Sequence, residues 1–293
     1  MTPPTTALAS PAEILEFPPS PALDMPPSVL ATVRDDAPKP YYSSANGDIV
    51  LYHGDSVDVL PAAELPGAVD LLFADPPYFL SNGGITCKNG KRAKVDKGSW
   101  DRLESIEGMH TFNRRWLAMV QQLLAADGSV FVSGTRHVIF SVGFAMQQLG
   151  FKLLNEITWE KPNPPPNLSC RYFTHSTETV IWAARDHRSR HTFNYHLMRE
   201  ENGGKQMKSV WRFTAPGKVE KVHGKHPTQK PLSLLRRIIR ATSEEGDLVV
   251  DPFVGSGTTA VACAELGRQF VGCDMDEAYL ELAAKRINDV NGW

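Results

Sequence analysis

The hydrophobic positions of this chain form short apolar runs that are separated by amphipathic stretches. The runs predict buried strands in "GDIVLYHGD", at Val69–Ala74, Ser129–Ser133, Asn155–Trp159 and Thr179–Ala184, in "DLVVD" and in "FVGCD". Apolar residues at helical spacing predict helices over 109–126, 136–149, 231–243, 258–266 and 276–288. Because strands alternate with helices, the pattern favours an α/β fold with a doubly wound, mostly parallel sheet.

Two segments depart from this alternation. Residues 1–40 hold ten of the 22 prolines and show little periodicity, so we expect a mostly disordered arm. Residues 80–105 are rich in glycine and lysine and are too long for an ordinary connection. Loops of that length in compact domains are usually functional lids or disordered, and we interpret this one as a lid.

The bulk composition is that of an ordinary globular protein, with 42% hydrophobic and 22% charged residues among 293. No apolar stretch approaches the roughly 20 residues that cross a bilayer, and the N-terminus does not resemble a signal peptide. The four cysteines form no C-x-x-C pair, which predicts reduced thiols and no metal site (Cys87, Cys170, Cys263 and Cys273). We therefore expect a cytoplasmic protein without a membrane partner.

Charge is strongly segregated, although the net charge is only −2. Residues 185–240 carry 14 basic and 4 acidic residues, whereas residues 1–84 carry 2 basic and 11 acidic ones. A basic middle between acidic ends, with aromatic residues interleaved, favours a nucleic-acid surface over a merely solvated face.

A glycine turn follows the "DLVVD" strand. The run from Gly255 to Ala260 satisfies G-x-G-x-x-A, and Asp274 lies nineteen residues after Gly255, as in a dinucleotide-binding fingerprint. Asp251 precedes the glycines, however, and its carboxylate would repel a pyrophosphate. A ligand with an amino group or a sulfonium suits Asp251 better, so the motif favours S-adenosylmethionine over a nicotinamide cofactor.

A second unusual turn ends the strand in "VDLLFADPPYFLSNGG". Asp75, Pro76, Pro77 and Tyr78 place a carboxylate, a rigid carbonyl and an aromatic ring at the edge where open α/β sheets bind ligands. A purely structural interpretation makes Asp75 a helix cap and Tyr78 a core aromatic. Trp100, Phe112 and Trp116 are interpreted as core residues and His226 as a structural one.

With "ADPPY", "DPFVGSGTT" and "KHPTQKPLSLLRRII" together, residues 46–293 resemble the beta group of DNA amino-methyltransferases, which includes the RsrI and MboII modification enzymes. The order of the motifs is that of the group, with the catalytic half before the cofactor loop. The resemblance implies a permuted Rossmann-like methyltransferase sheet, with a catalytic half at 41–185, a small inserted target-recognition segment at 186–222 and a cofactor-binding half at 223–293. It further implies that Asp55 faces the adenine of the cofactor and that Thr228 and Lys230 help to close its site.

The chemistry of the two turns agrees with that resemblance. The exocyclic amine of a base is a poor nucleophile, and Asp75 and the Pro76 carbonyl could accept its two protons, while Tyr78 could stack on a base that has left the duplex. The predicted catalytic residues are therefore Asp75, Pro76, Pro77 and Tyr78. The predicted residues of the S-adenosylmethionine site are Asp55, Asp75, Thr228, Lys230, Asp251, Phe253, Gly255, Ser256, Gly257, Thr258 and Asp274.

Duplex DNA is the expected macromolecular partner. Basic residues of the lid and of the target-recognition segment are predicted to contact it: Lys88, Lys91, Arg92, Lys94, Arg188, Arg190, Arg199, Lys205, Lys208 and Arg212. Since Asp75 opens the tetrapeptide, we favour the N6 amine of adenine over the N4 amine of cytosine as target. A homodimer, a restriction endonuclease partner and a nucleoid-associated location are further expectations.

Three other functions remain open at this point. A nicotinamide-dependent oxidoreductase would use the glycine turn but leave the Asp75 turn and the basic segment without a role. A non-catalytic DNA-binding protein would not need an intact Asp-Pro-Pro-Tyr sequence. A methyltransferase that acts on RNA or protein is a weaker alternative.

Overall fold

The computed structural model describes residues 37–79, 85–88, 91–94 and 105–291, and for 85–88 and 91–94 it gives the path of the backbone. Most of the predicted N-terminal arm, much of the predicted lid, and Trp100 lie outside the described residues. Within the described part of the chain, no helix combines the length and the apolar character that spanning a membrane requires.

Eleven strands, seven α-helices and one 3-10 turn at Val219–Lys221 make up the described fold. The strands are β1 (Tyr42–Ser43), β2 (Ile49–His53), β3 (Val69–Ala74), β4 (Ile85–Lys88), β5 (Lys91–Lys94), β6 (Leu124–Gly134), β7 (Lys152–Glu160), β8 (Thr177–Ala184), β9 (Val210–Arg212), β10 (Leu248–Asp251) and β11 (Gln269–Asp274). The helices are α1 (Ser56–Val59), α2 (Ile106–Leu123), α3 (Ile139–Leu149), α4 (Tyr195–Glu201), α5 (Leu232–Thr242), α6 (Thr258–Leu266) and α7 (Glu277–Asn291).

Nine strands form one sheet in the order β1-β2-β11-β10-β3-β6-β8-β7-β9. Five neighbouring strands of this sheet, β2, β11, β10, β3 and β6, run parallel to one another. We call the edge of the sheet where these strands end the carboxyl edge and the opposite edge the amino edge. Strand β8 runs antiparallel to both β6 and β7, so its first residue lies at the carboxyl edge. The predicted α/β fold with a mostly parallel sheet is confirmed.

Helices cover both faces of the sheet because each presents an apolar stripe to it. On one face, α5 and α6 bury Leu234, Ile238 and Ala260 with the first core cluster. On the other face, α2 and α3 bury Trp116 and Met146 with the second cluster. The sheet is therefore doubly wound, as predicted, and its central strands are buried from both sides.

The chain reverses its direction of winding between β10 and β3. These strands are neighbours, with Val249 beside Leu71 and Val250 beside Leu72, although they are far apart in sequence. From β3 the chain continues through α2 to β6 on one side, and from β10 it continues through α6 to β11 on the other. Such a switch point opens a crevice at the carboxyl edge, where ligands bind in open α/β sheets.

Short elements account for most differences from the sequence prediction. Helix α1 is one turn that the Asp55 side chain caps by accepting from the Val57 amide at 3.0 Å. The segment predicted as an inserted target-recognition unit supplies α4 and also β9, which pairs with β7 in the main sheet. These elements are three to seven residues long, and at that length tertiary contacts decide the structure more than local periodicity does.

Candidate active site

A cavity of about 710 Å³ opens at the carboxyl edge over the switch point. The residues that line it follow β2, β3, β10 and β11, with others from α2 and from the segment before α5. They include His53, Asp55, Asp75, Pro76, Pro77, Tyr78, Phe112, His226, Thr228, Lys230, Asp251, Phe253, Gly255, Ser256, Thr258, Asp274 and Tyr279. Most of the residues predicted for catalysis and for the cofactor therefore meet in one cavity.

Asp75 and Tyr78 are joined directly across the two prolines. The Tyr78 hydroxyl donates to Asp75 Oδ1 at 2.6 Å, and the Tyr78 side chain is only 4% exposed. The next residue, Phe79, has a φ of 53°, a left-handed conformation that strains a residue with a side chain. The Tyr78 hydroxyl thus reaches the Asp75 carboxylate, and the stacking of its ring on a base stays a prediction.

Lys230 holds the other oxygen of Asp75. Its ammonium donates to Asp75 Oδ2 and to the Thr228 carbonyl, and lies 3.7 Å from Glu178 Oε2. The resemblance implied that Lys230 helps to close the cofactor site; the structure places its ammonium on the carboxylate of the predicted catalytic turn, in the wall of the same cavity. Glu178 and its ion-pair partner Lys161 were not predicted at all.

Burial and the neighbouring charges together set the protonation of Asp75, Lys230 and Tyr78. Burial raises the pKa of the Asp75 carboxyl, and the Lys230 ammonium opposes that rise. For Lys230, burial lowers the pKa, but the charges of Asp75 and Glu178 outweigh it and raise the pKa overall. Burial and the adjacent Asp75 raise the pKa of Tyr78 well above its usual value. Lys230 is therefore charged and Tyr78 is a neutral donor.

Helix α7 packs against the glycine turn and fixes its position through Ala283 and Arg286. Gly257 has a φ of 74°, and a Cβ there would lie 2.6 Å from the Cβ of Ala283. Arg286 is buried in the same helix and donates to the Ser256 carbonyl at 2.6 Å and to Thr258 Oγ1 at 3.0 Å. These contacts hold Ser256 and Thr258 in the cavity wall, and no sequence signal pointed to Arg286.

Two carboxylates flank the glycine turn. Asp251 accepts from the Phe253 amide at 2.9 Å and from the Thr259 hydroxyl at 2.6 Å, and burial raises its pKa to about 7. Asp274 accepts from the Gly255 amide at 2.7 Å, and burial raises its pKa as well. Each carboxylate has lone pairs beyond these bonds, which a ligand in the cavity can use.

Aromatic side chains form part of the cavity wall. Trp116 is fully buried and meets Phe253 edge to face at 5.4 Å, which agrees with its prediction as a core residue. Phe112 was also predicted to be core, but it is only partly buried and lines the cavity 6.2 Å from Phe253. The ring of His226 packs at 4.2 Å from that of Tyr279.

The predicted DNA-binding residues of the basic segment are all exposed, but they lie at different edges of the sheet. The Arg190 amide donates to Asp127 at the start of β6, and Arg188 is two residues away, so both lie at the amino edge, opposite the cavity. Arg212 lies at the carboxyl edge, 3.8 Å from Glu160 at the end of β7. Arg199, Lys205 and Lys208 are on the path between the two edges.

Other exposed groups at the carboxyl edge were missed by the sequence. The loop between β7 and β8 exposes Arg171, Tyr172 and Phe173, the last at 96%. Arg136, after β6, donates to His175 of the same loop at 2.8 Å. In the predicted lid, β4 and β5 form an antiparallel hairpin in which Lys88 pairs with Lys91 and Cys87 with Arg92.

The sequence matches a known family over most of its length. Residues 69–285 match the model of the N6/N4 methyltransferase family, described as DNA methylase. The type II methyltransferase M2.DpnII of Streptococcus pneumoniae is 53% identical over 254 residues, which are 86% of this chain and 94% of that protein.

Solved structures share the fold. The PvuII DNA methyltransferase, described as cytosine-N4-specific, superposes with a TM-score of 0.66 at 22% identity, covering 87% of this chain and 94% of the other. A DNA modification methylase of Thermus thermophilus, solved in complex with S-adenosylmethionine, gives a TM-score of 0.56 at 25% identity, covering 83% and 96%.

The buried contact of Lys230 predicts a pH-dependent loss of stability. In a Lys230→Met variant, Asp75 and Glu178 face each other without their shared cation, which should destabilise the fold at pH 8 by about 3–5 kcal/mol. At pH 5 the loss should be smaller, because burial raises the pKa of Asp75 and protonation then removes its charge. Urea unfolding of the variant and the wild type at pH 5 and pH 8 measures the loss of unfolding free energy at each pH.

The control is Lys285→Met, which removes an exposed ion pair with Glu281 on α7 and should leave both curves near the wild type. Equal destabilisation of Lys230→Met at pH 5 and pH 8 would contradict the electrostatic interpretation.

Proposed function

This chain belongs to the DNA methylase family of N6 and N4 methyltransferases, and from that membership we propose that it methylates the N6 amine of adenine in DNA. It is an S-adenosylmethionine-dependent DNA methyltransferase, and DNA is its substrate. The observation that carries the proposal for its site is the position of Asp75, whose carboxylate lies in the wall of the cavity, beside the glycine turn.

The chemistry of the cavity fits S-adenosylmethionine. Asp55, Asp251 and Asp274 all line it, and three carboxylates favour a ligand that carries positive charge. S-adenosylmethionine supplies an electrophilic methyl group on a sulfonium. We propose that Asp251 binds its amino group and Asp274 its ribose hydroxyls. The pyrophosphate of a nicotinamide cofactor would meet the same carboxylates at a disadvantage, which counts against an oxidoreductase.

Asp75 and the Pro76 carbonyl are proposed to act on the target amine. As acceptors for its two N–H groups they would favour a tetrahedral nitrogen with an available lone pair. Methyl transfer would replace the sulfur–methyl bond of the donor by the new N–C bond and release one proton from the amine, and Asp75 is the nearest proposed acceptor of that proton. Before an amine is bound, Tyr78 and Lys230 hold the two oxygens of Asp75. A non-catalytic DNA-binding protein would not need a carboxylate in the cavity wall beside the glycine turn.

Adenine is preferred over cytosine because of the first residue of the tetrapeptide. A carboxylate is a stronger acceptor than a hydroxyl, which suits a site that must hold a purine by its amine. The likeness to the cytosine-N4-specific PvuII enzyme is at 22% identity and concerns the fold. Cytosine N4 therefore remains the second candidate.

Partners beyond DNA are also proposed. The relatives are type II methyltransferases, which supports a restriction–modification system with a companion endonuclease, located with the DNA in the cytoplasm. To test for that partner, DNA methylated by the protein is incubated in host extract; a companion endonuclease should cleave unmethylated DNA and leave the methylated DNA intact.

A homodimer is supported by an exposed apolar surface of Phe140, Phe144 and Leu153 on α3 and β7. A one-chain mass in light scattering at micromolar concentration would reject it.

The product identifies the target atom. DNA treated with the protein and S-adenosylmethionine should yield N6-methyladenine on digestion to nucleosides and mass spectrometry. Asp75→Asn should lower transfer at least about a hundredfold while the Kd of the donor changes within a few-fold, because the substitution acts on the amine. Finding N4-methylcytosine without N6-methyladenine would reject adenine, and loss of donor binding by a folded Asp75→Asn would reject the proposed role.

The raised pKa of Asp251 predicts a pH dependence of donor binding. With a pKa of about 7, Asp251 is mostly protonated at pH 6 and cannot attract an amino group fully. Calorimetry with S-adenosylmethionine should show affinity rising by up to about tenfold per pH unit toward pH 7 and levelling above it. Asp251→Asn should bind weakly and without this dependence. The control Asp70→Asn, at the amino end of β3, should keep the wild-type profile; a flat wild-type profile would reject the role of Asp251.

The edges of the sheet predict which arginines contact DNA. If DNA lies on the carboxyl edge, Arg212→Ala should weaken DNA binding and reduce the slope of log K against log salt by about one. Arg190→Ala, at the amino edge, should leave affinity and slope unchanged and serves as the matched control. The opposite pattern would place the DNA on the amino edge, away from the cavity.

A further inference from the structure

Four mostly buried charged side chains form a continuous row of ion pairs at the carboxyl edge. Lys161 pairs with Glu178 Oε1, Glu178 Oε2 lies 3.7 Å from Lys230, and Lys230 donates to Asp75. The exposed fractions of the side chains are 23% for Lys161, 11% for Glu178, 6% for Lys230 and 13% for Asp75. The two carboxylates and the two ammonium groups balance, so this row of ion pairs carries no net charge.

Glu178 reaches Lys230 and Tyr78 from β8, which lies two strands away from β3 in the sheet. It is the second residue of β8, and β6 lies between β8 and β3 in the sheet. The small residues Ser133 and Gly134 end β6 at this level and pair with Val180 and Thr179 of β8. The Glu178 side chain therefore extends past the end of β6 to within 3.4 Å of the Tyr78 hydroxyl.

We infer that Glu178 is a positioning residue that takes over the Tyr78 hydroxyl and the Lys230 ammonium when Asp75 turns to the target amine. The inference rests on the proposed function of Asp75. Both donors are already within reach of both carboxylates: the Tyr78 hydroxyl is 2.6 Å from Asp75 Oδ1 and 3.4 Å from Glu178 Oε2. An incoming amine competes for the same Asp75 oxygens.

A second acceptor matters because the centre is buried. A donor that lost Asp75 and found no other acceptor would cost about 1–3 kcal/mol, and more if it were charged. Glu178 lowers that cost by offering a carboxylate to Tyr78 and Lys230, and Lys230 also keeps its hydrogen bond to the Thr228 carbonyl. Glu178 thereby leaves Asp75 free to accept a hydrogen bond from the amine, and the two carboxylates and two ammonium groups still balance while Asp75 stays ionised.

Glu178 also acts on Asp75 through its charge. The groups that face Asp75 are Tyr78, Lys230 before α5, Glu178 on β8 and Asp251 on β10. Burial raises the pKa of Asp75, Lys230 lowers it and Glu178 raises it again. Removing the Glu178 charge should therefore lower the pKa of Asp75 and extend its ionised form to lower pH.

Three variants separate these effects from a merely structural salt bridge. Glu178→Gln keeps the length and removes the charge, Glu178→Asp keeps the charge and withdraws it by one methylene, and Glu156→Gln changes an exposed acid on β7 as the matched control. For each variant, kcat, KM for DNA, donor Kd and the melting temperature are measured, together with kcat from pH 5 to pH 9.

We expect Glu178→Gln to lower kcat by about 10–100-fold with donor Kd within twofold, and to move the acid limb of the kcat profile to lower pH by about one unit or less. Glu178→Asp should lower kcat and keep the acid limb near that of the wild type. Glu156→Gln should match the wild type throughout.

Wild-type kcat in Glu178→Gln overturns the inference, as does a lower kcat that comes with an unmoved acid limb and a melting temperature lowered in proportion. If Glu178→Gln does not fold, a folded Glu178→Asp with wild-type kcat overturns it alone. Methyl transfer by the wild-type protein in the same assay tests the proposed function separately, so the two failures are distinguishable.

Discussion

The contact between Lys230 and Asp75 is the interaction on which the site depends. These residues are 155 positions apart in the sequence, and the contact joins the turn after β3 to the segment that leads into α5. An ammonium and a carboxylate buried together must satisfy each other, because neither can be left in an apolar environment without its partner. The contact therefore fixes the position of α5 relative to β3. The cavity that these elements border acquires a defined shape for the same reason.

The pairing of β3 with β10 brings the Asp75 turn and the glycine turn together, although they are far apart in the sequence. Asp75 follows β3 and Asp251 is the last residue of the adjacent parallel strand β10, so both lie at the same edge whichever strand comes first in the chain. What the chemistry requires is adjacency at the switch point, and the sheet provides it through backbone hydrogen bonds that do not depend on chain order. The segment between the halves must then return from the amino edge to the carboxyl edge, which it does through α4 and β9.

The sequence predicted the central elements well and the peripheral ones poorly, for physical reasons. Strand β3 and helix α6 were predicted to the residue, since a fully buried apolar run and a glycine turn leave few alternatives. The residues of the two turns were also predicted to share a site. Glu178 could not be predicted, because its contact exists only through the pairing of β8 across the end of β6. The basic segment was judged as one surface, but its residues are distributed over two opposite edges of the sheet.

Electrostatics differ between the two parts of the cavity, and the difference suits two different ligands. Around the glycine turn, Asp251 and Asp274 are carboxylates with no ammonium bonded to them among the described residues, and their pKa values are raised by burial. A cationic ligand lowers the free energy of that region when it binds. Around Asp75, in contrast, the acids are matched by Lys161 and Lys230. A neutral base can enter such a balanced region without separating a net charge from its counter-charge. Because the two regions meet at the β3–β10 junction, a positively charged methyl donor and a neutral amine can be held side by side, each in the field that stabilises it.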